Sequence, residues 1–200
     1  MRKWVAAALA IGPAPMALAQ ETPPTDPLCA GLDLAIAAAW EARPFMSLLP
    51  SGQTPGSLPA LKQKPLGFEA LKACEIYRAG NAVEGVNGGG PYNYFRCSQF
   101  QMFSFQDAGG EAKAVDAHTK LAAQTVACLT PKGWTASEAV RTKQFEDFET
   151  VVTLTRPGLQ NDVLVEFITD NSSPSARSPS TTWSVFLKVR SPNPGYRKAQ

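Results

Sequence analysis

Most of the chemistry open to this chain lies in four cysteines, one histidine, a cluster of acids and a run of aromatics. Cys29, Cys74, Cys97 and Cys128 are far apart, with no Cys-x-x-Cys pair. A closed zinc site favours close ligand pairs. A redox-active dithiol favours two neighbouring cysteines, one with a lowered pKa. Neither spacing is present, so the even count reads as two structural disulfides.

His118 is the chain's single histidine and sits beside Asp116 and Lys120 in a helical stretch. A serine nucleophile would need a supporting turn, and no Gly-x-Ser-x-Gly elbow exists. His118 therefore reads as a surface or boundary residue rather than a general base. Glu146, Asp147 and Glu149 gather at the start of a strand, where Asp147 and Glu149 share one face. Paired carboxylates serve glycoside hydrolysis, and three can hold a hard cation. No aromatic cleft or calcium-loop spacing accompanies them, so a solvated strand edge is expected. The run Gly85-Val86-Asn87-Gly88-Gly89-Gly90-Pro91 resembles a phosphate-cradling loop only in composition. No Lys-Ser/Thr follows, and a strand rather than a helix comes next. It reads as a hairpin loop. Asn171-Ser172-Ser173 fits a glycosylation sequon, which matters only in a eukaryotic host. No catalytic residue, metal ligand or cofactor is assigned.

The remaining candidates are aromatic. Tyr77, Tyr92 and Tyr94, with Arg78 and Arg96, have the composition of an interface core. Residues 92–105 carry large apolar groups on both parities: Phe95, Cys97, Phe103 and Phe105 on one, Tyr92, Tyr94, Phe100 and Met102 on the other. A half-buried strand alternates more cleanly. Two covered faces, one exposed aromatic face, or a bulge that switches parity would each explain the pattern.

These residues sit behind a leader. Arg2 and Lys3 precede an alanine-rich apolar stretch, and Ala17-Leu18-Ala19 places small residues where a signal peptidase cuts. Gly12, Pro13 and Pro15 interrupt the stretch, so residues 1–19 read as a cleaved signal rather than a membrane anchor. No later stretch is long and apolar enough to span a bilayer as a helix. A periplasmic or secreted location follows. The leader holds two of the 19 Lys+Arg and none of the 17 Asp+Glu, so the mature chain balances at 17 of each. A balanced chain lacks the basic footprint of a nucleic-acid binder.

After a polar start over residues 20–25, one domain is expected over 26–191, with a loose tail over 192–200. Asp26-Pro27 caps a helix to about Ala42, with Leu28, Leu32, Ile36 and Trp40 on its apolar face. A Pro/Gly/Ser loop covers 49–65. Strands follow near 73–79 and 92–105, then a helix over 111–129 that Pro131 and Gly133 end. Its core face is Ala114, Ala117, Leu121, Val126 and Cys128 or Leu129. Residues 145–156, 163–169 and 182–190 form a meander in which Glu166 can face Lys188 or Arg190. The fold class is α+β: one antiparallel sheet of about five strands, two amphipathic helices on one face, order α-β-β-α-β-β-β.

Cys97 lies roughly 23 Å before the end of its strand. Cys128 lies roughly 26 Å into the helix that folds back over it. Equal heights favour Cys97–Cys128, leaving Cys29–Cys74. The alternative is Cys74–Cys97 across the hairpin with Cys29–Cys128 between the helices. Together these features point to a non-catalytic exported domain that binds a protein or cell-envelope component. The competing reading is a small exported hydrolase with a site assembled from scattered acids or His118.

Overall fold

The structure, a computed structural model, describes residues 26–49, 65–79, 90–104, 107, 109–144, 147–171 and 180–196. The leader, the start over 20–25, the Gly-rich run up to Gly89, Phe105, Glu146, and Ser172 and Ser173 of the sequon lie outside them.

Helix α1 (Pro27–Ala38) begins where Asp26 accepts the Leu28 N–H at 2.9 Å, with Pro27 in the first turn. It ends four residues earlier than its sequence suggests. Phe45, at φ 65°, turns back into the core, and its N–H donates to the Ala38 carbonyl at 2.8 Å. That bond closes the helix end, so Trp40 leaves the apolar face and is half exposed. Gly67, at φ 88°, crosses α1 so closely that any Cβ would overlap the Pro27 carbonyl.

The sheet has seven strands: β1 (Ala73–Tyr77), β2 (Tyr92–Phe103), β3 (Thr135–Ala136), β4 (Val140–Gln144), β5 (Asp147–Thr155), β6 (Asp162–Asn171) and β7 (Thr181–Pro192). Their spatial order is β1-β2-β7-β6-β5-β3, with β4 also on β5, and every pair is antiparallel. β3 and β4 are the strands beyond the expected five. β3 is two residues long, and β4 has a single apolar residue, so neither has an alternation to read. Helix α2 (Gly110–Leu129) leaves the end of β2 and crosses one face of the sheet, against β7, β6 and β2, with α1 beside it.

Pairing aligns the helix-facing side chains into rungs. Ile76, Phe95, Val189, Val163 and Leu154 form one, and Cys74, Cys97, Leu187, Val165 and Val152 the next. All are buried. Each such leucine, isoleucine or phenylalanine contributes roughly 1.5–3 kcal/mol. β2 carries a bulge between Ser98 and Phe100. It moves Phe100 and Met102 to the helix side, so the mixed parity of this segment is a change of register within one strand.

The disulfides are Cys29–Cys128 and Cys74–Cys97. This corrects the pairing Cys29–Cys74 and Cys97–Cys128. The height argument located Cys128 along the strand direction but not across the sheet. β1 places Cys74 directly opposite Cys97, Cα atoms 4.0 Å apart. The first turn of α1 meets the last turn of α2, which brings Cys29 to Cys128.

Helix α2 buries Ala114, His118, Leu121, Thr125, Cys128 and Leu129. His118 is thus a core residue, 7% exposed, not a surface one. Its spacing from Ala114 and Leu121 is helical, but its polarity hid it from a hydrophobic reading. Among the described residues no helix is long and apolar enough to cross a membrane.

Candidate binding face

With both helices on one side, the other face of the sheet presents the alternate residues of each strand. One rung reads Tyr77, Tyr94, Arg190, Asp162. The next reads Glu75, Arg96, Lys188, Leu164, Thr153. A third reads Ala73, Ser98, Phe186, Glu166, Val151, Val140. Four of the five candidate residues, Tyr77, Tyr92, Tyr94 and Arg96, share this face. Arg78 does not. It follows Tyr77 by one position and turns to the helix side, a consequence of strand alternation already present in the sequence.

The face is an interlocked layer of rings and cations. Tyr77 and Tyr94 stack with centroids 4.8 Å apart and 19° between planes. The Arg96 guanidinium lies 4.3 Å from the Phe186 centroid. Arg190 lies 4.1 Å from that of Tyr92, and the Lys188 ammonium 5.2 Å from that of Tyr94. Each cation also holds its own carboxylate. Arg96 Nε donates to Glu75 at 2.6 Å, Arg190 makes a two-pronged contact with Asp162, and Lys188 meets Glu166. The Lys188–Glu166 pair realises one of the two cross-strand pairings the sequence allowed.

These contacts set the electrostatics. Burial pushes the Tyr94 hydroxyl pKa up despite Arg96, so the ring stays a neutral donor at physiological pH. Arg190 is held above its usual range: burial works against it, but the Asp162 carboxylate outweighs that. Glu149, on the same face, is raised by burial first and by the nearby Glu166 carboxylate second. Among the described residues of this layer the cations Arg96, Lys188 and Arg190 are matched by the carboxylates Glu75, Asp162 and Glu166, with Glu149 beside them, so the layer carries no excess of positive charge. A shallow hollow of about 210 Å³ lies between Glu75, Arg96, Ser98, Gln101 and Phe186.

Phe186, Lys188 and Arg190 belong to this layer as fully as the tyrosines do. Their shared parity in β7 was legible, but which strand lay beside β2 was not. The other candidates are dispersed. His118 Nε2 lies 3.2 Å from the Val165 carbonyl, beside the Phe167 ring. Burial pushes its pKa down, so it is a neutral donor inside the core. Asp147 accepts the Asn171 N–H at 2.9 Å and so ties the ends of β5 and β6. Among the described residues no three His, Cys, Asp or Glu side chains converge as a metal site. No protein-family model matches this sequence, and neither the curated proteins nor the solved structures include a match to it.

Proposed function

We propose that this chain is a non-catalytic binding module of an exported protein, and that it recognises a protein or cell-envelope partner through the open face of its sheet. One observation carries the reading: Tyr77, Tyr92, Tyr94, Arg96, Phe186, Lys188 and Arg190 form one layer, each cation laid on a ring and held by a carboxylate. A layer locked in this way loses little side-chain entropy on binding. Tyrosine and arginine are the residues that anchor interfaces. Two disulfides fit export, because such bonds persist in oxidising compartments. The hydrolase reading keeps one supporting observation, the Glu149–Glu166 carboxylate pair with its raised Glu149.

The test is site-specific photocrosslinking in the native host. A crosslinker replacing Tyr92 is expected to give a discrete adduct that Tyr94→Ala weakens at least about tenfold. One replacing Val115, exposed on α2, gives none. Equal adducts from both positions, or none from Tyr92, would overturn the proposal.

A further inference from the structure

The sheet ends at β3 and β4, which follow one another along the outside of β5. β4 pairs with β5 alone, and Val140, Arg141, Thr142 and Lys143 are all exposed. The direction of its peptide groups follows from β5. The Thr153 carbonyl accepts the Ser137 N–H at 2.8 Å, and the Thr153 N–H donates to Ser137 Oγ at 3.1 Å. The odd-numbered residues of β5 therefore turn their peptide groups towards this edge. Val140, Thr142 and Gln144 lie opposite Val151, Glu149 and Asp147 and make the ladder bonds. Arg141 and Lys143 turn their N–H and C=O groups outward, where no described residue meets them. An edge of this kind is a template for one more strand.

The side chains of the same two residues set the charge of that strand's partner. Arg141 and Lys143 lie opposite Thr150 and Phe148 and share the helix-facing side of the sheet. Helix α2 packs on β7, β6 and β2, and this strip lies beyond it. Both cations gather on one ring: the Arg141 guanidinium is 4.5 Å from the Phe148 centroid and the Lys143 ammonium 5.6 Å. Unlike Arg96, Lys188 and Arg190, neither holds a carboxylate among the described residues. Asp147 and Glu149, the acids across from β4, lie opposite Gln144 and Thr142 and so fall on the other face. The edge thus joins two open peptide positions to two unneutralised cations on alternate residues.

We infer that the β4 edge takes an extended acidic segment of a partner protein as an added antiparallel strand, with carboxylates at two alternate positions against Arg141 and Lys143. In an antiparallel ladder, residues that exchange both backbone bonds stand directly opposite, with side chains on one face. The carboxylates and the backbone bonds therefore come from the same two residues of the incoming segment. A second copy of this chain does not fit. Antiparallel pairing of residues 141–143 with themselves sets cation directly against cation, which destabilises the ladder. The same repulsion that blocks self-pairing selects an acidic partner. The edge lies across the sheet from β1 and apart from the tyrosine face, so the two surfaces are tested separately.

The probe is the pentapeptide threonyl-glutamyl-valyl-glutamyl-threonine, acetylated and amidated at its ends. The readout is the rate at which the Arg141 and Lys143 backbone N–H groups exchange with water, followed by NMR. In the protein alone both should exchange at least about tenfold faster than the Thr142 N–H, which lies in the ladder. The peptide should slow both saturably, with a Kd on the order of 1 mM or tighter. Methylating both glutamyl backbone nitrogens keeps the charges and removes two donors, and should weaken binding at least about tenfold. Replacing both glutamates of the peptide by lysine should abolish binding. The double variant Arg141→Glu with Lys143→Glu should reverse that preference. The peptide comparisons use the unmodified protein, so they stand even if the variant fails to fold. Slow exchange at Arg141 and Lys143 without peptide would overturn the inference: a rate that depends on protein concentration means a second copy holds the edge, and one that does not means the chain's own residues hold it. No change at about 10 mM peptide would overturn it too, leaving the edge as a guard against pairing. Equal binding of the methylated peptide rules out an added strand, and equal binding of the lysine peptide rules out the charge selection.

Discussion

His118 is placed by helix periodicity and neutralised by burial. Its ring nitrogen points at a backbone carbonyl, so the proton on that nitrogen is a structural donor. Its native pKa lies below the ordinary 6.5, because burial outweighs the help of the Val165 carbonyl. The unfolded chain therefore binds a proton more readily than the native one. The stability from keeping this group neutral is complete above about pH 6.5 and is lost as pH falls towards the native pKa. Urea midpoints measured at pH 7.5 and 5.5 should drop for the parent protein, and His118→Gln should show a smaller drop. Parallel pH dependence in the two proteins would contradict this role. Phe186 and Arg190 make the complementary point. Nothing in the sequence connected them with the tyrosines, and the register of β7 against β2 put them there.

At the scale of elements, the junction of β2, α2 and β7 is tightly constrained. Gly110 opens α2 against the Trp183 ring, and a Cβ there would overlap the indole. Alanine normally favours a helix over glycine by roughly 0.5–1 kcal/mol. Here the overlap should win, and Gly110→Ala should destabilise by about 1–3 kcal/mol in urea unfolding. A stabilised variant would mean that the helix start moves freely. How legible each element was followed its pattern. β5, β6 and β7 alternate and were readable. The cap on α1 was readable too, through Asp26 and Pro27. The end of α1 was not, because it depends on Phe45 reaching a core built by distant strands. In β2 the parity conflict showed that something changed within the segment. Only pairing with β7 identified it as a bulge at Ser98–Phe100.

For the whole molecule, the two disulfides do different work. Cys74–Cys97 spans 23 residues and staples one hairpin, whereas Cys29–Cys128 spans 99 and fastens the helix layer to itself. Restriction of the unfolded chain predicts about 3 kcal/mol for the first and about 5 kcal/mol for the second as upper estimates. Replacing each pair by alanines should rank them in that order by urea midpoint. Non-reducing peptide mapping should recover Cys29 with Cys128; a Cys29–Cys74 peptide would refute the packing of the two helices. The candidate surface is also a whole-molecule property. Both helices cover one side of the sheet, and the tyrosines had composition enough to be noticed but no address until that side was known. Arg78 shows the limit from the other direction. Its parity separated it from Tyr77 in the sequence, yet proximity in the chain grouped them.

The sequence by itself determined what local physics decides: a capped first helix, an amphipathic second helix, alternating strands, an α+β class and thiols spaced for disulfides. Caps, turns and periodicity act over a few residues, so they can be read in order along the chain. The tertiary structure alone decided which cysteine meets which, where the histidine goes, which strand lies beside the tyrosines and which strand is left at the edge of the sheet. Each of those depends on the lateral position of one element against another. That position is set by the packing of residues as far apart as Cys29 and Cys128, and no spacing along the chain encodes it.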